Sequence, residues 1–227
     1  MNRASAAQRA ALLDVARALG AARLSVGTAG NASLRLGADG GYLITPTGLP
    51  PEDSHAEDMV EMSPDGVAHG RRAPSSEWRL HHDLYAARPE AGAIVHAHSP
   101  FATALACRRV EIPPFHYMIA RFGGATVRCA GYATFGTQAL SDLALEALHE
   151  RSACLLANHG MVVFGRDAAH ALRMAVEFEM LCEHYWRAVQ LGGPALLTAG
   201  EMNEALARFD GYGQPADNPA HPPGGQA

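Results

Sequence analysis

The sequence predicts an α/β fold in which helices cover both faces of a mixed, largely antiparallel sheet. Helical and strand patterns alternate along the chain, which favours layers of helices packed on a sheet. Several neighbouring strands are separated only by tight turns, and such turns join antiparallel strands. The chain has 227 residues and shows neither an internal repeat nor an internal linker, so we expect one folded domain over residues 1–212. Residues 213–227 are rich in Pro, Gly and Ala and are expected to form a flexible tail.

The first third of the chain is predicted to contain one helix and four strands. Ser5 is a suitable N-cap for a helix whose apolar stripe ends before Gly20. Four strands follow in two pairs, each joined by a turn rich in Gly, Asp or Pro: residues 34–36 with 42–45, and residues 60–62 with Val67. This part of the molecule is therefore expected to be mostly sheet.

Helices and strands alternate through the rest of the chain. Ser76 is the predicted N-cap of a helix that has Glu77 in its first turn and ends before Pro89. Asp167 is the predicted N-cap of the longest helix, which extends to about Leu191. The other predicted elements are a strand over 93–98, a short helix over 100–107, a strand over 126–129, a helix over 137–150, strands over 153–157 and 161–164, and a helix over 199–209.

The composition excludes several classes of function. The net charge is −5 and there is no block of Lys or Arg, which argues against a nucleic-acid or anionic-membrane surface. No apolar run approaches the length of a membrane span, and the first residues do not resemble a signal peptide. The cysteines are scattered and form no CxxC pair: Cys107, Cys129, Cys154 and Cys182. We therefore expect a reduced, cytoplasmic protein that is neither exported nor anchored.

Two histidines two positions apart provide the clearest chemical signal. His96 and His98 follow an apolar run, and in a β-strand such residues project from the same face and can share one metal ion. An isolated pair is equally explained by histidines that hydrogen-bond to their neighbours. A second apolar run ends at His159, and the following Gly160 suits a sharp strand exit. Three imidazoles with an open fourth position are typical of a catalytic zinc site.

Glu77 is the carboxylate nearest in sequence to the histidine pair. A glutamate at a helix start usually interacts favourably with the helix dipole, and position alone favours that explanation. Beside a metal site it has a second interpretation, because a carbonyl substrate bound there needs a base to remove an adjacent proton.

Three loops share a composition of hydroxyl, amide and small residues, and none of them contains a lysine. They are Gly30-Asn31-Ala32-Ser33, Thr45-Pro46-Thr47-Gly48 and Pro74-Ser75-Ser76. Each alone is explained as a turn. Together they could form a neutral anion-binding nest, and the last lies at a helix N-terminus, so phosphate is the ligand we favour.

Seven short motifs together resemble the class II aldolase/adducin family, and within it the bacterial L-fuculose-1-phosphate aldolases. They run in family order from about residue 8 to Tyr212: Gly27-Thr28-Ala29-Gly30-Asn31, Leu43-Ile44-Thr45-Pro46-Thr47-Gly48, Pro74-Ser75-Ser76-Glu77-Trp78-Arg79, Val95-His96-Ala97-His98, His116-Tyr117-Met118-Ile119-Ala120, Tyr132-Ala133-Thr134-Phe135-Gly136-Thr137 and Asn158-His159-Gly160.

The resemblance implies a three-layer α/β/α fold and a cyclic homotetramer with active sites between neighbouring subunits. It implies Zn²⁺ on His96, His98 and His159, with Glu77 at the ion and acting as the base. Tyr117 corresponds to a tyrosine that a neighbouring subunit lends as proton donor. The other implied contacts are to the substrate phosphate, from Asn31, Thr47, Gly48, Ser75 and Ser76, and to the aldehyde end, from Phe135 and Tyr212.

The activity that the resemblance implies is reversible cleavage of a ketose 1-phosphate to dihydroxyacetone phosphate and an aldehyde. The ketose is L-fuculose 1-phosphate or a related 5-deoxy or 5-substituted pentulose 1-phosphate. Two alternatives remain open at this point. One is a decarboxylase or dehydratase of a phosphorylated sugar on the same metal site, and the other is a non-catalytic, adducin-like interaction module.

Overall fold

The fold consists of eight strands in one sheet with helices on both faces, seen in a computed structural model that describes residues 4–37 and 41–209. The helices are α1 Ala6–Ala21, α2 Trp78–Ala87, α3 Pro100–Ala106, α4 Gln138–Ala147, α5 Ala168–Gln190 and α6 Ala199–Phe209. The strands are β1 Asn31–Arg35, β2 Tyr42–Ile44, β3 Val60–Met62, β4 Ala68–His69, β5 Ala93–Ala97, β6 Cys129–Ala130, β7 Ala153–Leu156 and β8 Gly160–Gly165.

The strand order across the sheet is β4-β3-β2-β1-β5-β8-β7-β6. Among the described strands only β6 and β7 pair in parallel, and every other neighbouring pair is antiparallel. The prediction of a mixed, largely antiparallel sheet is confirmed. The pairing that matters for the site is non-local, because β5 lies between β1 and β8 and so brings residues 31, 96 and 160 to one part of the sheet.

Two apolar layers hold the helices on opposite faces of the sheet. One layer contains side chains of α1, α3 and α5, including Leu12, Leu105 and Phe178. The other contains side chains of α2 and α4, including Leu84 and Leu140. The three-layer α/β/α architecture is therefore confirmed. Within the described residues, no helix has both the length and the apolar character needed to cross a membrane.

The caps explain why the helix boundaries were predictable at several places. Ser5 accepts a hydrogen bond from the backbone N–H of Gln8, and Gln8 returns one to the backbone of Ser5. Asp167 caps α5 by accepting from the N–H of His170. The first strand begins at Asn31 rather than at Leu34, because its first four residues pair with β5.

Three local predictions were wrong. Ser76 is not the N-cap of α2; Glu77 occupies that position, and Ser75 Oγ accepts from the Glu77 N–H. The strand predicted over 126–129 contracts to Cys129–Ala130, with a single bridge between Ile112 and Val127 preceding it.

The third error concerns the reason for glycine at position 160. The residue with positive φ at that turn is Asn158, at 53°. A Cβ on Gly160 would lie 2.4 Å from the carbonyl oxygen of Ala97 and 3.0 Å from His98 Cδ2. Gly160 is therefore required by the close approach of the histidine-bearing strand rather than by the turn conformation.

Candidate metal and phosphate site

Four potential metal ligands converge at one end of the central strands. His96 lies in β5, His98 follows the end of that strand, and His159 lies in the turn between β7 and β8. Glu77 immediately precedes α2, the helix that packs on this face of the sheet. One ligand atom from each of the four residues lies within 4.8 Å of every other.

The distances within this cluster suit a single ion. His96 Nε2 lies 2.9 Å from His98 Nε2 and 3.1 Å from Glu77 Oε2, and His159 Nε2 lies 3.4 Å from Glu77 Oε1. Ligand atoms about 2.1 Å from a tetrahedral zinc ion lie about 3.4 Å from one another. These three separations are close to those expected around a zinc-sized ion.

Neighbouring groups leave one atom of His96 and one atom of Glu77 available to a ligand. His96 Nδ1 lies 2.9 Å from the carbonyl oxygen of Met161. When neutral His96 donates from Nδ1 to that oxygen, its lone pair is on Nε2, the nitrogen beside His98 and Glu77. Glu77 Oε1 is buried and has no hydrogen-bond partner among the described residues. A buried carboxylate oxygen without a partner is costly, so this atom is available to an ion or a substrate.

The pKa values of Glu77, His98 and His159 favour the binding of a cation. Burial raises the pKa of Glu77, but the attraction of His96 and the hydrogen bonds from His96 and Asn31 outweigh it and hold the pKa well below its ordinary value. Burial, together with His96, lowers the pKa of His98 to about 4 and that of His159 to about 4. The carboxylate is therefore charged and these two imidazoles are neutral near pH 7, as metal ligands must be.

Behind Glu77 lies a row of buried polar side chains that the sequence analysis missed. Asn31 Nδ2 donates to Glu77 Oε2 at 3.0 Å, and Asn31 Oδ1 lies 2.5 Å from His81 Nε2. Ser33 Oγ lies 2.6 Å from His81 Nδ1 and 2.9 Å from the hydroxyl oxygen of Tyr85. Spacing was the available signal: residues 77, 81 and 85 share one face of a helix, and residues 31 and 33 share one face of a strand.

A cavity of about 350 Å³ opens beside the histidines, which is within the range of small-molecule sites. All five predicted phosphate residues contribute to its lining: Asn31, Thr47, Gly48, Ser75 and Ser76. Glu77, His98 and His159 line it too. The structure thus places the three polar loops and the metal cluster around one space.

Backbone donors are available on the polar side of this cavity. The N–H groups of Gly48 and Ser76 make no hydrogen bond within the described part of the chain. Gly48 has a φ of +65° with open space where a Cβ would be, so its conformation, not crowding, favours glycine. Two free N–H groups and nearby hydroxyls, with no cationic side chain among the lining residues, form a neutral nest of the kind that binds phosphate.

The residues predicted for the aldehyde end are not all brought together in one chain. Phe135 lines the cavity; Tyr132 and Asn158, which the sequence analysis did not single out, line it as well. Tyr117 is 54% exposed and is absent from the described lining. Its ring stacks on His116 with centroids 4.9 Å apart. Tyr212 and the predicted tail lie outside the described residues.

Comparisons with known proteins agree with this arrangement. Residues 10–186 match the model of the Class II Aldolase and Adducin N-terminal domain. A 5-methylthioribulose-1-phosphate/5-deoxyribulose-1-phosphate aldolase of Rhodospirillum rubrum is 49% identical over 216 residues, which cover 95% of this chain and 97% of the relative.

Two further proteins extend the comparison. A 5-deoxy-D-ribulose 1-phosphate aldolase of Bacillus thuringiensis is 41% identical over 192 residues, covering 84% of this chain and 90% of the relative. A solved L-fuculose 1-phosphate aldolase superposes with a TM-score of 0.88 at 36% identity, covering 91% of this chain and 98% of the other. The range matched by the family model, residues 10–186, includes all eight strands and the four cluster residues.

Proposed function

Because the chain belongs to the class II aldolase and adducin family, we propose that it is a zinc-dependent aldolase acting on a ketose 1-phosphate. The products of cleavage are dihydroxyacetone phosphate and an aldehyde, and the reaction is reversible. One observation carries the proposal: a cluster of three histidines and a buried carboxylate borders the same cavity as a neutral nest of backbone N–H groups.

The nest is the proposed binding site for the substrate phosphate. Asn31, Thr47, Gly48, Ser75 and Ser76 surround it, and the backbone N–H groups of Gly48 and Ser76 have no acceptor among the residues that the structure describes. Hydrogen bonds from N–H groups to a charged phosphate are stronger than those between neutral groups. Binding at this end would leave the C2 carbonyl and C3 hydroxyl of a ketose 1-phosphate near the histidines.

His96, His98 and His159 are the proposed zinc ligands, with Glu77 beside the ion. A divalent ion held there acts as a Lewis acid that polarises a carbonyl, which makes the adjacent C–H more acidic. Nitrogen and carboxylate donors also accept other divalent ions, but three imidazoles with a free position are typical of catalytic zinc.

Glu77 is the proposed base. In the direction of carbon–carbon bond formation, its carboxylate removes a proton from the carbon next to the carbonyl of dihydroxyacetone phosphate. In cleavage it returns that proton to the same carbon. Oε1 is the oxygen suited to this role, because Oε2 already accepts a hydrogen bond from Asn31 while Oε1 has no donor in the described residues.

Tyr117 is the proposed acid that protonates the alkoxide in the bond-forming direction. Its exposure and its absence from the cavity lining within one chain support a role across a subunit boundary. We therefore propose a homotetramer in which a neighbouring subunit supplies Tyr117. All four cysteines are free thiols, which supports a reducing compartment such as the cytoplasm.

The aldehyde end is proposed to accept a small apolar group. Phe135 and Tyr132 form its aromatic wall, and Tyr212 is proposed to close it. The relatives of Rhodospirillum rubrum and Bacillus thuringiensis are named for 5-methylthio- or 5-deoxyribulose phosphates. A 5-deoxy or 5-methylthio pentulose 1-phosphate is therefore the substrate we favour, with L-fuculose 1-phosphate as the close competitor.

Product analysis tests this proposal. The zinc-loaded protein is incubated with 5-deoxyribulose 1-phosphate, 5-methylthioribulose 1-phosphate and L-fuculose 1-phosphate, and the products are identified by NMR. Equal amounts of dihydroxyacetone phosphate and an aldehyde are the expected result. Release of carbon dioxide or loss of water from a phosphorylated sugar would instead support the decarboxylase or dehydratase alternative. Absence of any turnover together with failure to bind zinc would support an interaction module.

A further inference from the structure

The buried row behind Glu77 is organised by two facing elements. Asn31 and Ser33 project from β1 toward α2, while Glu77, His81 and Tyr85 project from the facing side of α2 and its N-cap. Asn31, Ser33, Glu77 and His81 are buried, with exposures of 6%, 1%, 6% and 0%. Polar groups at this depth are expensive unless their hydrogen bonds are made.

The direction of each hydrogen bond in this row follows from its two ends. Glu77 is ionised and can only accept, so Asn31 must present its NH₂ group to it. Asn31 Oδ1 must then accept, and His81 Nε2 must carry the hydrogen. His81 Nδ1 is left to accept from the hydroxyl of Ser33, and Ser33 Oγ can accept in turn from Tyr85.

His81 is neutral in this arrangement. It is fully buried and has no carboxylate among its hydrogen-bond partners. Burial, reinforced by His96, lowers its pKa to about 3. A neutral imidazole has one donor and one acceptor nitrogen, and here the accepting Asn31 Oδ1 fixes Nε2 as the donor.

We infer that His81 is a positioning residue for Glu77: it holds the Asn31 amide so that Glu77 Oε2 accepts a hydrogen bond from Asn31 while Oε1 stays beside His159 without a hydrogen-bond donor in the described residues. This inference rests on the proposed function, because it names the groups that orient Glu77, the base of the proposed reaction. Without the His81 donor, the Asn31 amide could turn its oxygen toward Glu77, which would repel the carboxylate and rotate it. A displacement of about 1 Å at a reacting group can cost about 100-fold in rate.

The test compares His81→Leu with His81→Gln. Leucine removes the donor to Asn31, whereas the amide nitrogen of glutamine can reach the position of Nε2 and restore it. Both variants lose the imidazole nitrogen that accepts from Ser33, so we expect both to lose a similar amount of folding stability. We expect kcat to fall about 10- to 100-fold in His81→Leu with KM changed less than about threefold, and glutamine to restore most of kcat.

Ser141→Ala serves as the matched stability control. Ser141 is fully buried and donates to Asp83 of α2, away from the cluster. Loss of this hydrogen bond should lower the midpoint of unfolding yet leave kcat within about twofold. If His81→Leu does not fold, Ser33→Ala replaces it, because it removes the hydrogen-bond partner of His81 Nδ1 with a smaller change in volume. A smaller fall in kcat at unchanged KM is then expected.

Zinc affinity of the apoprotein separates this inference from the proposed function. Measured by competition with a chromogenic chelator, it should weaken about tenfold in His81→Leu and stay within about threefold of the parent in His81→Gln. If the parent is inactive but the zinc affinities of the two variants differ from it as expected, the aldolase proposal is overturned and the positioning role is supported. Equal zinc affinity and equal kcat in His81→Leu and the parent, or no recovery in a folded His81→Gln, would overturn the positioning role.

Discussion

Glu77 occupies the N-cap position of α2, yet its carboxylate lies 3.1 Å from His96 Nε2 and makes no capping hydrogen bond to its own helix. A carboxylate at a helix start ordinarily stabilises the helix dipole or caps a free N–H group. Ser75 Oγ accepts from the Glu77 N–H instead. The Glu77 carboxylate is therefore not used to cap its own helix and is available for the proposed roles at the metal and the substrate.

Replacement of Glu77 by glutamine should abolish most of the turnover. Glutamine retains the size of the side chain but cannot take a proton, and general-base catalysis is worth about 10²- to 10⁴-fold in rate. We expect kcat to fall by that range and the circular dichroism spectrum to remain that of the parent. Glu146→Gln, at an exposed position of α4, is the control. Full turnover in Glu77→Gln would exclude Glu77 as the base.

Replacement of His96 by alanine should remove the bound zinc. His96 is fully buried and its Nε2 lies within hydrogen-bond distance of both His98 and Glu77. Alanine therefore removes a donor atom that lies next to two of the other proposed ligands. The zinc content of purified protein is measured by atomic emission. His149→Ala is the control, since the side chain of His149 is 76% exposed. Stoichiometric zinc in His96→Ala would show that the ligand assignment is wrong.

The phosphate nest predicts a selective effect on substrate binding. Ser76→Ala removes a hydroxyl at the cavity while retaining the backbone N–H. A hydrogen bond to a charged group contributes about 1.5–3 kcal/mol, so KM should rise by about 10- to 100-fold with a smaller change in kcat. Competitive inhibition by inorganic phosphate should weaken in parallel. A change in kcat alone would place Ser76 away from the phosphate.

Mixed oligomers test whether Tyr117 acts across a subunit boundary. Glu77→Gln and Tyr117→Phe subunits, each nearly inactive alone, are unfolded together in equal amounts and refolded. In a cyclic tetramer whose sites combine two neighbours, about one quarter of the sites then have both native side chains, so about a quarter of the parent activity should return. No recovery, with tetramers shown by light scattering, would mean that both residues act within one chain.

The apoprotein should lose stability as the pH falls from about 6.5 toward 4. Burial, with His96, lowers the pKa of His98 and His159 from 6.5 to about 4 in the folded chain, so the unfolded chain binds more protons in this window. The free energy of unfolding therefore decreases with falling pH between these values and these two groups add no further slope below about pH 4.

Denaturant titrations of chelator-treated protein at several pH values measure this effect. A His98→Gln, His159→Gln double variant has neither titrating group and should show a shallower dependence on pH between 4 and 6.5. An identical slope in the parent and the double variant would contradict the assignment of neutral, buried imidazoles to the apoprotein.

The elements that depend on local sequence were predictable. Ser5 and Asp167 are caps whose hydrogen bonds form within one turn, so α1 and α5 could be located without knowledge of the rest of the fold. The same holds for His96 in β5 and His98 directly after it, because a period of two places them on one face. The predicted roles of the site residues remain predictions that the experiments above address.

The features that were missed depend on contacts distant in sequence. The importance of His81 depends on β1 lying opposite α2, and that placement follows from the order of strands across the whole sheet. Gly160 is explained only by the approach of Ala97 and His98 from another strand. Ser75 replaces Ser76 as the partner of the helix start because its backbone is bonded to Thr45 of a neighbouring segment.

The most direct test of the central claim is the release of dihydroxyacetone phosphate before chelation, after chelation and after zinc is added back. A coupled assay follows this product from 5-deoxyribulose, 5-methylthioribulose and L-fuculose 1-phosphates. Release that is lost with chelator and restored by one equivalent of zinc is the predicted result. Release that survives complete removal of the metal, or no release from any of the three substrates with zinc bound, would contradict a zinc-dependent ketose 1-phosphate aldolase.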